Sequence, residues 1–229
     1  MKKIKILSEF EKSDVISMFV TAILITICAI VFHQNIFNII PLYNSLVVML
    51  FSTKANRYAF LIGALNSILY AVVYMFFKLY SSALYSLLYS FPFQLITYIR
   101  WGRKAYGSST IFKSLDVKKW ILILVMFSVT WICLFVIFTK MGSKYIPMDI
   151  TVTIAGILTT LLTMMSFYDY IYFQLLGGLA SIILYIQMLP ETPGQTTYLV
   201  LSLYSFMCMV RAAITVRKLY KEQKNINLI

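Results

Sequence analysis

One stretch of this chain returns, without a gap, 115 residues further on (178 − 63): Gly63, Leu69-Tyr70 and Leu88-Tyr89-Ser90-Phe91 recur as Gly178, Leu184-Tyr185 and Leu203-Tyr204-Ser205-Phe206. Leu46 and Met49 match Leu161 and Met164 at the same spacing. A unit built twice in one chain must bury its apolar face against its copy, and in a membrane the space between copies is where a small molecule can pass.

The copies are membrane helices. Apolar residues make up 61% of the chain and charged ones 12%, far from the balance of a soluble domain. Apolar runs of spanning length predict eight spans, at roughly 15–34, 36–53, 58–77, 80–99, 119–139, 148–167, 171–189 and 196–214.

Charge then orients the bundle, because Lys and Arg stay on the cytoplasmic side of short loops. With the N-terminus inside, that side carries 17 cations: Lys2, Lys3, Lys5, Lys12, Lys54, Arg57, Arg100, Arg103, Lys104, Lys113, Lys118, Lys119, Arg211, Arg217, Lys218, Lys221 and Lys224. The opposite side carries three, Lys78, Lys140 and Lys144. Both ends are therefore expected in the cytoplasm, with the chain in the inner (plasma) membrane. The net charge of +12 is mostly topology, which argues against a nucleic-acid partner.

The first apolar run follows a basic flank, but it is long enough to span and lacks a small-residue cleavage site before His33-Gln34-Asn35, so it reads as a retained helix. Cys28, Cys133 and Cys208 fall in three different spans with no metal-ligand spacing, and His33 has no neighbour spaced to share a metal. No metal or cofactor is expected. Trp101 and Trp120, beside basic residues, read as interfacial anchors.

The expected fold is an all-α polytopic membrane protein with two parallel three-helix repeats joined by a linker helix. Residues 1–35 form an added N-terminal transmembrane helix, 36–101 the first repeat, 102–146 a cytoplasmic loop and linker helix, 147–217 the second repeat, and 218–229 a basic cytoplasmic tail. A three-helix unit ends on the side opposite to its start, so one linker crossing lets the second copy insert in parallel.

These segments resemble the PnuC-type vitamin-precursor transporters, relatives of the SWEET and semiSWEET carriers. The likeness is carried by Gly63-Ala64-Leu65-Asn66-Ser67-Ile68-Leu69-Tyr70, Lys78-Leu79-Tyr80, Phe91-Pro92-Phe93-Gln94 and Trp101-Gly102-Arg103-Lys104, and it covers about 36–217. The resemblance implies the same three-plus-one-plus-three fold and a cargo among nicotinamide riboside, thiamine, riboflavin and deoxynucleosides. Nicotinamide riboside carriers have a Trp-rich signature with an Asn on the second helix of the second unit. Here Ile171, Gln174 and Gly178 occupy those positions, so the signature is missing.

Polar side chains within apolar spans are costly unless paired or wetted, which makes each a candidate to hold cargo. Asn66 and Tyr70 share a helix face with Gly63, placing an amide beside a ring that can stack on a flat heterocycle. Ser90, Gln94 and Tyr98 form a polar stripe, and Pro92 between them removes a backbone donor, which suits a gating bend. Gln94 corresponds to Met209 in the second copy, so this contact is one-sided, as an asymmetric cargo requires. Gln174 stands at a recognition position of the family. Asn44 is matched by Thr159, Ser181 is the counterpart of Asn66, and Tyr89 and Tyr204 are counterparts of each other. For all of these the alternative is interhelical packing.

The expected function is uniport of nicotinamide riboside or a similar nucleoside-like vitamin precursor, with a deoxynucleoside, thiamine or riboflavin as the alternative cargo. No Asp or Glu lies well inside a span, which argues against proton coupling. Accumulation then needs trapping inside, by a cytoplasmic kinase. Expected partners are the cargo and the lipid bilayer, and homo-oligomerisation is left open. A membrane enzyme is disfavoured because no catalytic constellation is visible, and a channel because rings of charge and filter motifs are absent.

Overall fold

The computed structural model describes residues 10–76, 86–140 and 145–226. Its helices are α1 (Lys12–Val31), α2 (Ile36–Thr53), α3 (Tyr58–Phe76), α4 (Phe91–Arg103, preceded by a π-helical turn over Ser86–Ser90), α5 (Val117–Lys140), α6 (Ile146–Met164), α7 (Tyr170–Met188) and α8 (Thr196–Asn225). Local chemistry sets several starts. The side chain of Asn35 accepts from Phe37 N at 3.0 Å, and that of Asn56 accepts from Tyr58 N at 3.0 Å, each satisfying a donor that the first helical turn leaves open. Pro147 sits in the first turn of α6, where a missing N–H costs nothing.

Five of the helices, α1, α5, α6, α7 and α8, are each long and apolar enough to cross a membrane, and α2 and α3 contain shorter apolar stretches. The beginning of the fourth predicted span lies outside the described residues, as do Lys2, Lys3, Lys5, Lys78 and Lys144.

Packing follows the repeat. Within each triplet neighbours pack in order, α2 on α3 on α4 and α6 on α7 on α8, and the triplets meet where α2 packs on α8 and α4 on α6. The first helix of each unit therefore touches the last helix of the other, which closes a six-helix ring. The linker α5 lies outside the ring on α6, with no buried residue of its own. Its ties include Trp131 Nε1 donating to Thr151 Oγ1 at 3.1 Å and Trp120 stacked on Phe173 with centroids 5.7 Å apart. The added helix α1 covers α2 and α8, and Ile25, Ala29, Ile39, Leu42, Leu46, Tyr204 and Cys208 form the core there.

A second core closes the basic end of the ring, around Trp101, Phe112, Leu162, Tyr170, Ile171, Phe173 and Val216. The sequence expectation for Trp101 is corrected here. It is fully buried, donates from Nε1 to Thr163 O at 2.9 Å, and meets Phe60 and Phe112 edge-on, so it is a core residue and not an interfacial anchor. The loop after α4 is also more ordered than a polar connector. It makes a hairpin of β1 (Ala105–Tyr106) and β2 (Ser109–Thr110), turned at Gly107, whose positive φ of 61° favours glycine. Where a basic tail is expected from residue 218, α8 runs on to Asn225. Gln223 is buried under the hairpin, accepting from Phe112 N at 2.9 Å and donating to Thr110 O at 2.8 Å.

Candidate functional site

Three cavities follow one another along the seam between the two units. The outer one, so termed for lying farthest from the basic end, is about 260 Å³ and is lined by Met49, Tyr70, Gly178, Ser181, Tyr185, Tyr198, Ser202 and Met209 among others. Met49 also lines the middle cavity, about 230 Å³, with Ser52, Phe60, Tyr89, Ser90, Gln94, Thr97 and Thr159. Ser52, Ala59, Phe60, Thr159 and Thr163 continue into a small inner cavity of about 70 Å³, completed by Asn56, Trp101, Tyr170 and Gln174. No Asp, Glu, Lys or Arg lines any of the three among the described residues.

The structure brings some of the sequence candidates to this path and leaves others away from it. Gln94 lies in the middle cavity, where its Nε2 donates to Ser67 Oγ at 3.0 Å and Ser90 Oγ at 2.9 Å, and those two hydroxyls are 2.8 Å apart. It fits because residue 63 is glycine: a Cβ there would overlap Gln94 Oε1. The second copy repeats the arrangement at Gly178, where a Cβ would stand 2.7 Å from Met209 Sδ. The pairing of 63 with 94 thus recurs as 178 with 209, polar in one unit and apolar in the other.

Tyr89 lines the middle cavity with its ring stacked on Phe93 at 4.5 Å, Gln174 lines the inner one, and Tyr70 and Ser181 line the outer one. Ser181 also donates to Gly177 O at 2.8 Å. Pro92 lies in the first turn of α4, directly after the π-helical turn, so the local irregularity falls beside Gln94.

Asn66, Asn44 and Tyr204 do not line the three cavities. Asn66 is buried between α2 and α3, donating to Ser45 Oγ at 2.8 Å, while its Oδ1 has no hydrogen-bond partner among the described residues. Asn44 donates to Ile62 O at 3.4 Å, which joins the same two helices. Tyr204 belongs to the core under α1.

Sequence reasoning missed Asn56, Phe60, Thr159 and Thr163. Asn56 and Thr159 both line the inner cavity, and Thr159 Oγ1 and Asn56 Nδ2 are buried without a hydrogen-bond partner among the described residues. Thr159 was findable, as the repeat counterpart of Asn44. Asn56 reads in sequence only as a helix cap.

The model of the family described as "Nicotinamide mononucleotide transporter" matches residues 35–218. The crystal structure of the vitamin B3 transporter PnuC superimposes with a TM-score of 0.72, at 17% sequence identity, over 93% of this chain and 94% of that chain. At that identity the likeness is one of fold. No curated relative matches the sequence.

Proposed function

The chain belongs to the nicotinamide mononucleotide transporter family, a family of membrane transporters and not enzymes, and we propose that its cargo is nicotinamide riboside or a similar nucleoside-like vitamin precursor without a phosphate. The observation that carries this reading is the uncharged lining of the path. A phosphate dianion stripped of water needs cationic partners, and among the described residues the three cavities offer it none, their polar groups being amides and hydroxyls. Those groups suit a nucleoside. Gln94, Gln174 and Thr159 can hydrogen-bond ribose hydroxyls or a carboxamide, and Phe60 and Tyr89 offer faces to a flat ring.

The same lining supports uniport. A proton-coupled carrier is expected to hold a carboxylate on its path, and none lines the cavities among the described residues. The cargo then equilibrates, and a cytoplasmic kinase traps it by adding the phosphate that the path rejects. Gln174, one of the three positions at which the nicotinamide riboside signature is missing, favours a second reading in which the cargo is a deoxynucleoside. The basic end of the bundle faces the cytoplasm of the inner membrane in either case, with both termini there.

The test is uptake into proteoliposomes that contain no kinase. Labelled nicotinamide riboside, thiamine, riboflavin, a deoxynucleoside and nicotinamide mononucleotide are compared, with and without imposed pH or sodium gradients. The expected result is that one phosphate-free compound enters and stops at equal concentrations inside and out. Entry of the mononucleotide alone would overturn the cargo reading, and gradient-driven accumulation would overturn uniport.

A further inference from the structure

A fourth cavity, about 390 Å³, opens at the basic end and shares no lining residue with the uncharged path. It is lined by Arg100, Arg103, Lys104 and Lys113, together with Met164, Met165, Ser166 and Phe167. Its cations come from both sides of the α4–α6 seam. Arg100 and Arg103 occupy the last turn of α4 and Lys104 caps it. Lys113 is fixed to the second unit instead, since its N–H donates to Ser166 O at 2.9 Å and its carbonyl accepts from Tyr168 N at 2.9 Å.

Topology alone explains why cations lie at this end of the protein, but it does not require four of them to converge on one cavity. None of the four forms an ion pair among the described residues. The nearby carboxylates are committed elsewhere: Asp116 pairs with Lys119 at 2.9 Å, and Asp169 accepts from Leu115 N at 2.8 Å. Opposing them are the carbonyl ends of α4 and α6, each equivalent to about half a negative charge. Four full positive charges exceed that by a wide margin, so the cavity is an electropositive hole with a partly apolar wall.

We propose that this cavity binds a phosphate group, bridging α4 of the first unit and the α6–α7 turn of the second. Guanidinium forks at Arg100 and Arg103 match phosphate oxygens, and Lys104 and Lys113 supply point charges. Two sources share that chemistry, a phosphomonoester in solution and the headgroup of an anionic phospholipid. Either occupant draws the two units together at this end, so its binding biases the carrier toward the form closed there. This inference does not rest on the identity of the cargo.

The test uses the full chain in neutral detergent and in nanodiscs. Inorganic phosphate and a nucleoside monophosphate are titrated against sodium chloride of equal ionic strength, and nanodiscs of phosphatidylglycerol are compared with nanodiscs of phosphatidylcholine, the thermal midpoint being read in each. Arg103→Gln with Lys113→Gln removes two cations from the cavity. Lys218→Gln with Lys221→Gln removes two exposed cations from the end of α8, which do not line it. At least one arm is expected to stabilise the parent chain, with apparent affinity falling at least about tenfold in the cavity variant and unchanged in the control. A response to the soluble phosphates identifies a phosphomonoester, and a response to phosphatidylglycerol alone identifies a lipid headgroup. No response in any arm, or equal losses in the two variants, overturns the proposal. Both substituted sites are solvent-exposed, and uptake of the phosphate-free cargo checks that the variants fold.

Discussion

Replacing Gly63 by alanine puts a methyl group where the Gln94 amide now lies, overlapping Oε1 and standing 3.0 Å from Cδ. The amide is the free end of a flexible side chain, so it swings away before the helices part. The loss is then the pair of hydrogen bonds to Ser67 at 3.0 Å and Ser90 at 2.9 Å, roughly 1 kcal/mol each. Alanine returns about 1 kcal/mol over glycine as a helix former, so the net destabilisation is about 1 kcal/mol and the variant still folds. Cargo affinity falls further, by about tenfold, the worth of one lost hydrogen bond.

The assay compares cargo binding and the thermal midpoint in Gly63→Ala, Gln94→Ala and the double variant. If the methyl acts through the amide, it costs nothing more in binding once Gln94 is already alanine, and the cycle is strongly non-additive. Additive losses, or parental affinity in Gly63→Ala, would refute the reasoning. Gly178→Ala is the comparison from the other copy. Its methyl meets Met209 Sδ at 2.7 Å and the Phe206 ring at 3.1 Å, where no side-chain hydrogen bond is at stake, so its cost is overpacking of about 1–3 kcal/mol, offset by the same gain of about 1 kcal/mol as a helix former, and shows in stability rather than in binding.

Gln223→Ala strands a buried N–H on Phe112 and a buried carbonyl on Thr110, so stability is expected to fall by about 2–4 kcal/mol; an unchanged thermal midpoint would remove the α8 extension from the fold's supports. Burial raises the Asp169 carboxyl above its ordinary range, despite the opposing hydrogen bond from Leu115 N. Its ionised form therefore opposes folding at neutral pH, and stability rises as pH falls through the raised folded-state pKa toward the ordinary one. Asp169→Asn is expected to be the more stable protein near pH 7, with the gap closing on acidification; a gap that widens instead would show that the carboxylate is a net stabiliser. In a chain freed of Cys28, Cys133 and Cys208, cysteines at Ser108 and Thr192 are expected to label from opposite faces, Ser108 from the cytoplasm, and labelling of both from one face would break the eight-span topology.

The helices were legible in the sequence because a spanning helix needs a long apolar run and little else. Gln94 was legible for the complementary reason, that an amide in such a run stands out. Asn66 gives the same sequence signal yet is turned to Ser45, because the partner that absorbs an amide lies on another helix. Trp101 was misread since a tryptophan before Arg103-Lys104 has one sequence signature whether it faces headgroups or core. What decides it is Phe112, folded back by a hairpin turn at Gly107, and no local pattern announces that contact. Tyr89 and Tyr204 are exact repeat counterparts but differ in surroundings, because α1 is an unrepeated helix and covers α8 without covering α4.

That unrepeated helix also makes the two seams of the ring unequal. At the α2–α8 seam, Asp14 of α1 is buried and pairs with Lys54 at the end of α2, at 3.4 Å, and with Arg211 of α8. At the α4–α6 seam the tie is the indole of Trp101 on Thr163 O. Both ties lie at the basic end, one across each seam. The indole bond contributes about 1 kcal/mol. The ion cluster contributes a similar amount, discounted because the Arg211 side chain is 44% exposed and can regain water. Opening the ring at this end breaks both polar ties and also exposes part of the apolar core around Trp101 and Phe112, so the two ties set only the polar share of its cost. Ties much stronger would hold the seam shut against any cargo, and ties much weaker would leave the basic end open while the outer cavity is also accessible.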